Sequence, residues 1–177
     1  MKAGLFIHLG LKGINMTPEY DKALVKYYSK LKILHLPLIS WDIFANHNFE
    51  IDNFNAIQKQ WNSKTNFNEI VYRSKREIII TNLKQEIVFA SKGLHAMNGY
   101  HSYEVIGKSP EIFQGKLSSP KSINRIRKAI QDKLPFKEVI LNYRKDGTTY
   151  LCEIEAFPKF DKKMNLINYI AFEKLVS

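Results

Sequence analysis

The chain has a single cysteine, Cys152, among its 177 residues, and this scarcity excludes two kinds of structure. One thiol cannot form a disulfide within the chain, and it cannot assemble a cysteine-based metal cluster. The sequence also lacks any apolar run approaching the ~20 residues that a membrane-spanning helix needs. We therefore expect no transmembrane segment, and a reducing, cytoplasmic location fits the lone cysteine.

Acidic residues are also scarce, because 17 Asp and Glu stand against 27 Lys and Arg, which gives a net charge of +10. Clustered cations favour binding to nucleic acid or to anionic membrane surfaces. The cations fall on two predicted helix faces: Lys22, Lys26, Lys30 and Lys121, Arg125, Lys128. No aromatic side chains alternate with them in the way that stacks bases. A nucleic-acid-binding regulator therefore stays an alternative and is not the favoured function.

Catalytic motifs are missing as well. Ser91 with His95, and Glu104 with His101, could be paired as nucleophile or acid with a base, but neither pair has a third, orienting group. Local roles explain them better, with Ser91 capping a short helix and the others lying at the surface. The sequence predicts a protein that is not an enzyme, with no catalytic residue and no metal site.

The last hundred residues predict a sheet with short helices between its strands. Two β-branched runs, residues 77–81 and 86–90, flank the turn Asn82 to Gln85, which is typical of a hairpin. After several short helices, apolar residues alternate on both sides of Asp146-Gly147, a strong hairpin signal. A final run, residues 166–172, completes three antiparallel strands.

The first third of the chain predicts amphipathic helices. Thr17-Pro18-Glu19 is a good helix start, and further short helices are predicted from Ser40 and from Asp52, the latter running to Trp61. Residues 67–73 are expected to form a helical turn before the first strand. Such short helices cannot bury their apolar stripes alone, so they must pack on the sheet, on each other or on a second subunit.

The chain resembles the PAS (Per-Arnt-Sim) domain family, and within it the branch of light-oxygen-voltage photoreceptors. The likeness rests on five segments in order: ASKGLHAMNGY, EVIGKSPEIFQG, INRIRKAI, NYRKDGTTY and NYIAFEKLVS. It implies an α+β fold with a five-stranded antiparallel sheet and flanking short helices. It further implies a helical N-terminal extension, residues 1–73, and a PAS domain, residues 74–177.

The same resemblance implies a cavity between helices and sheet, lined by Gln114, Arg127 and Asn142. In the photoreceptor relatives this cavity holds a flavin, and a cysteine forms an adduct with its ring. Here Pro110 stands at the cysteine position.

The neighbouring contacts differ too. Ser109 and Glu111 replace an Asn and a phosphate-pairing Arg, Cys152 replaces a polar contact, and Glu173 replaces a switching Gln. Because a carboxylate would repel a phosphate, flavin binding is doubtful. The long helix, residues 119–133, has no His, which argues against haem. We therefore expect no cofactor.

These observations predict a non-catalytic sensory or protein-interaction module for signal transduction. We expect a homodimer with a signalling protein as a further partner, and a small-molecule ligand that the sequence does not identify. The mechanism implied is a shift of the packed helices when the cavity contents or the partner change. A flavin-binding light sensor without the thiol adduct is a further alternative.

Overall fold

A computed structural model describes residues 49–176 of the chain. Residues 49–57 are helical (α1), and a 3₁₀ turn (Gln58–Gln60) and a π-helical turn (Glu69–Arg73) follow. The strands are β1 (Glu77–Thr81), β2 (Ile87–Ala90), β3 (Phe136–Tyr143), β4 (Thr149–Phe160) and β5 (Leu166–Leu175). Between β2 and β3 lie α2 (Leu94–Asn98), α3 (Ser102–Val105), a 3₁₀ turn (Pro110–Phe113) and α4 (Pro120–Gln131). The helices predicted from Thr17 and Ser40 lie outside the described residues.

The five strands form one antiparallel sheet in the order β2-β1-β5-β4-β3. This architecture confirms the predicted fold class. The β3–β4 hairpin turns at Gly147, whose φ of +85° is accessible to glycine at little cost. On the other side, Ser119 caps α4 by accepting a hydrogen bond from the Ser122 backbone, and Pro120 occupies the first helical position.

The prediction that Ser91 caps the following helix is wrong. The residue before α2 is Gly93, and no side chain caps that helix. The Ser91 hydroxyl instead accepts a hydrogen bond from the Ile78 backbone N–H at 2.9 Å and donates to the Glu77 carboxylate at 2.5 Å. A serine just after a strand can satisfy either a helix end or a neighbouring strand, and here the strand is closer.

The outer face of the sheet is covered by the segment that precedes it. Phe54 and Trp61 are buried against Phe89, Ile170 and Phe172 in one apolar cluster. Phe54 and Phe89 meet edge to face with centroids 5.6 Å apart, and the Trp61 indole N–H donates to Asn168 Oδ1 at 2.9 Å. The apolar side chains of residues 49–73 are therefore buried against the outer face of the sheet. The division of the chain at residues 73 and 74 stays a prediction.

The inner face of the sheet packs against the helices. Ile79, Ile140 and Cys152 are buried there with Leu94 and Phe113. Side chains in a strand alternate between faces, so β1, β2, β4 and β5 contribute to both clusters. The helices therefore enclose the inner face, where the fold leaves a cavity.

We expect Phe54→Ala to destabilise the domain by about 3–5 kcal/mol, because it removes a fully buried aromatic ring that neighbours cannot replace. Phe49→Ala is the matched control on the same helix, since Phe49 is 64% exposed. It should change the free energy of unfolding by less than about 0.5 kcal/mol. Urea denaturation measures both. Equal effects from the two variants would refute the packing of α1 on the sheet.

Candidate functional site

A cavity of about 90 Å³ lies between the inner face of the sheet, α4 and the 3₁₀ turn Pro110–Phe113. Most of its wall is apolar, with side chains from three strands and α4: Ile79, Ile126, Ile130, Ile154 and Ala171. The wall also has polar side chains that can make directional contacts: Thr81, Gln114, Asn142, Tyr169 and Glu173. Apolar walls with a few placed polar groups are typical of small-molecule sites.

Asn142 carries the clearest sign of a missing partner. The residue is 3% exposed, and its Oδ1 atom is buried without any hydrogen-bond partner. A buried acceptor left unsatisfied costs about 1–3 kcal/mol. Asn142 lies on β3 directly opposite Tyr150 of β4 and lines the cavity. An N–H group of a bound molecule would satisfy this atom.

Glu173 introduces an ionisable group into the same wall. It is 4% exposed, and its carboxylate accepts a weak hydrogen bond from Cys152 Sγ at 3.6 Å. Burial raises the pKa of Glu173 to about 7, the Cys152 contact lowers it, and the charge of Glu77 raises it further. Near neutral pH the cavity therefore contains a carboxyl group that readily gains or loses a proton.

Two neighbours of Glu173 are held in their neutral forms. Burial raises the pKa of the Cys152 thiol far above its ordinary value, and the Glu173 charge adds to the effect. Tyr150 responds in the same way, with burial as the main cause of its raised pKa. Cys152 therefore behaves as a small buried apolar residue with little thiolate, which makes it a poor nucleophile.

The three predicted site residues fall in two places. Gln114 and Asn142 line the cavity. Arg127 is not in its wall; it lines a surface groove of about 450 Å³ and a smaller pocket of about 70 Å³ that Gln114 also lines. Arg127 is 58% exposed and donates to Glu111 at 2.8 Å. Their role in binding a cofactor stays a prediction. Pro110 lies in the cavity wall, where the sequence places it.

Glu173 was not among the predicted site residues, although a signal for it exists. On β5 the positions 169, 171 and 173 share one face of the strand, and Ala171 belongs to the inner cluster. An acidic residue in that register had to point at the helices. The resemblance to the photoreceptor branch identified Glu173 only as the residue that replaces a glutamine.

The basic faces offer little support for a nucleic-acid interface within residues 49–176. On α4, Arg125 pairs with Glu138, and Arg127 pairs with Glu111. Ion pairing makes these two cations less available to replace counterions on phosphates, whereas Lys121 and Lys128 of the predicted face are exposed and belong to none of the ion pairs within residues 49–176. The lysines at 22, 26 and 30 lie outside the described residues.

The described residues contain neither a cluster of metal ligands nor a membrane-spanning helix. Within residues 49–176, no three metal-ligating side chains come close enough to hold an ion. Over the same range, no helix has the length and apolar content needed to cross a bilayer.

We anticipate that Glu173→Gln changes how stability depends on pH. Because the folded pKa of Glu173 is raised from 4.5 to about 7, its contribution to folding is present below pH 4.5 and is lost as pH rises through 7. As pH rises between those limits, the free energy of unfolding of the natural protein should fall by about 3 kcal/mol relative to that of Glu173→Gln. Urea denaturation at several pH values measures the difference.

The matched control for this experiment is Glu69→Gln, since the Glu69 side chain is 50% exposed. Its stability should follow that of the natural protein at every pH. A constant difference between the natural protein and Glu173→Gln across pH 4 to 8 would show that Glu173 titrates normally.

The sequence and fold of this chain are similar to those of known proteins. Residues 75–174 match the family described as "PAS domain". The chain is 37% identical over 92 residues to "Protein TWIN LOV 1" of Arabidopsis thaliana, covering 51% of this chain and 23% of that protein. It is 30% identical over 103 residues to a "Blue-light photoreceptor" of Listeria monocytogenes, covering 56% and 40%. The chain thus spans less than half the length of these relatives.

A solved structure described as "Flavin Analogue Sheds Light on Light-Oxygen-Voltage Domain Mechanism" aligns with a TM-score of 0.57 and 29% identity. The alignment covers 60% of this chain and 82% of the solved one. These similarities confirm the predicted resemblance to the light-oxygen-voltage branch.

The prediction that no cofactor is bound is wrong, because the chain is similar to a domain described with a flavin analogue. The prediction gave too much weight to the side chains beside Pro110 and to the charge of Glu111. In the structure Arg127 pairs with that charge at 2.8 Å, so Glu111 does not act as an isolated carboxylate. The contacts deeper in the cavity, Gln114 and Asn142, are retained.

Proposed function

Because this chain belongs to the PAS domain family, we propose that it is a non-catalytic sensory domain whose cavity binds a flavin. The observation that carries the proposal is the buried Asn142 Oδ1 atom, which has no partner and lines the cavity wall. The free-energy cost of burying this acceptor without a partner is explained if a ligand normally donates a hydrogen bond to it. Similarity to a blue-light photoreceptor and to a domain described with a flavin analogue supports the same ligand class.

The chemistry of the wall suits a flat ring with polar edges. Ile79 and Ile154 of the sheet and Ile126 of α4 provide apolar contacts, and Asn142 and Gln114 provide hydrogen bonds. Within this wall, Asn142 Oδ1 would accept from a ring N–H group. A bound flavin would supply absorption of blue light and reversible reduction.

The cavity of about 90 Å³ is smaller than the roughly 300–1,000 Å³ typical of ligand pockets. Ligand entry therefore requires wall side chains to move. The movable part is α4 and the 3₁₀ turn, since the opposite wall is a sheet whose outer face is already packed. Binding that shifts these helices relative to the sheet would change the domain's outer surface, which provides an output.

The output of such a domain passes through association with other molecules. We propose a homodimer, with a signalling protein as a further partner, as the sequence predicts for a PAS domain. The cytoplasmic location suggested by the lone cysteine stays a prediction. A nucleic-acid partner is less favoured, because Arg125 and Arg127 are already paired.

Binding should be measured first with riboflavin and flavin mononucleotide, added to refolded or freshly purified protein and followed by fluorescence quenching. Asn142→Ala should weaken the binding of either flavin roughly twofold to tenfold, the value of one hydrogen bond. The matched control is Asn53→Ala, at an exposed position of α1. Failure of the natural protein to bind either flavin would refute the proposed function.

A second experiment separates this domain from thiol-adduct photoreceptors. Pro110 has no thiol, and Cys152 is fully buried on β4 with a raised pKa. Flavin-loaded natural protein should show no reversible, light-induced adduct by mass spectrometry. Pro110→Cys places a thiol in the cavity wall and is the positive control. An adduct on Cys152 in the natural protein would contradict this part of the proposal.

A further inference from the structure

Glu173 lies in the cavity wall without a cation to balance it. None of the ion pairs formed within residues 49–176 includes its carboxylate, and its hydrogen bond is to Cys152 Sγ at 3.6 Å. The residue is 4% exposed, so bulk solvent contributes little to the solvation of its carboxylate. A buried carboxyl in this position is more stable as the neutral acid, which has an O–H group to donate.

The groups that face Glu173 do not offer a positive charge either. From β1 it meets Glu77, its direct cross-strand partner. From β4 it meets Cys152 and Tyr150, both of which are neutral. The 3₁₀ turn and β3 contribute the uncharged side chains Gln114 and Asn142 to the same wall. Ionised Glu173 would thus be repelled by Glu77 and, among these neighbours, stabilised by the weak hydrogen bond from Cys152 alone.

Glu77 also connects this acid to the surface. Its carboxylate is half-buried and accepts a hydrogen bond from Ser91 at 2.5 Å. The carboxylate lies directly against Gly93, where a Cβ atom would come within 2.1 Å of Glu77 Oε1. Burial raises the pKa of Glu77, the Ser91 bond lowers it, and the charge of Glu50 raises it. Cross-strand pairing therefore places two acids on neighbouring strands, one in the cavity wall and one nearer to solvent.

We propose that Glu173 is the proton donor of the cavity and delivers its proton to a bound flavin ring when that ring is reduced by one electron. The electron comes from an external one-electron reductant, such as a tertiary amine under illumination, which is itself oxidised. The Glu173 O–H bond breaks, an N–H bond forms on the ring, and Glu173 remains as a carboxylate. A proton from water then returns to Glu173 through Glu77. This inference rests on the proposed flavin binding.

A second, independent feature points to a ligand at this place. Asn142 Oδ1, in the same cavity wall, is buried and unpartnered. Asn142 can only accept through that atom, whereas protonated Glu173 can donate. The wall therefore presents an acceptor and a donor, which matches a heterocycle that has both N–H groups and basic ring nitrogens. The pKa of Glu173 is raised to about 7, which supports its role as a hydrogen-bond donor.

The first measurement needs no ligand. Infrared spectra of the ligand-free protein should show the carbonyl band of a protonated, buried carboxylic acid near neutral pH. The band should shift in D₂O and should be absent from Glu173→Gln but present in Glu69→Gln. If Glu173→Gln keeps the band, or if the natural protein lacks it at pH 6, the inference is overturned.

The second measurement uses flavin-loaded protein, reduced photochemically by a tertiary amine and followed by time-resolved absorbance, which distinguishes the anionic reduced ring from the neutral one. In the natural protein the ring should become neutral promptly. In Glu173→Gln the proton should arrive roughly 100-fold more slowly, the usual contribution of a positioned acid. Glu173→Asp, which retains an acid, should recover part of the rate, and Glu69→Gln should match the natural protein.

Glu77→Gln tests the path to solvent. The first proton transfer should stay fast in this variant, and recovery of Glu173 before a second cycle should be slow. Equal proton-arrival rates in the natural protein and in flavin-loaded Glu173→Gln would overturn the inference while leaving flavin binding intact. Absence of flavin binding in the natural protein would overturn both. Circular dichroism establishes that each variant is folded.

Discussion

The sheet is packed on both faces, and this constraint determines where the rest of the described chain can lie. A strand exposes alternate side chains to opposite faces, so β1 and β5 must be apolar nearly throughout. On the outer face Phe54, Trp61 and Phe67 cover Ile78, Ile80 and Ile170. That layer frees the inner face for the helices and the cavity. Removing the cover would expose the strands that position Glu173 and its cross-strand partner Glu77.

Much of the fold could be predicted because its signals are local. The turn at Asp146-Gly147, the cap at Ser119 and Pro120, and the β-branched run of β1 each depend on a few adjacent residues. The same local reasoning failed at Ser91, because its hydroxyl bonds to a strand that precedes it by more than ten residues. Partners distant in sequence compete with local ones, and only the tertiary structure decides between them.

The candidate site was harder to predict, for the same reason. Gln114 and Asn142 lie in the cavity wall as expected, whereas Arg127 points to the outside and pairs with Glu111. The sequence showed that Glu111 is a carboxylate at a position where an arginine was expected. It could not show that a neighbouring helix neutralises this charge. The expectation of no cofactor rested in part on treating Glu111 as unpaired.

The polar groups of the cavity are best understood as one arrangement. An unpartnered acceptor at Asn142 and an unbalanced acid at Glu173 each lower the stability of the ligand-free domain. Groups of this kind persist where they serve a ligand, because binding recovers the lost hydrogen bonds. Cys152, between them in the sheet, is held neutral by burial and by the charge of Glu173, which lowers the nucleophilicity of its thiol. The proposed chemistry of this cavity therefore depends on hydrogen bonding and on the position of a proton. Among the residues that line the cavity, Glu173 is the one whose pKa lies near neutral pH.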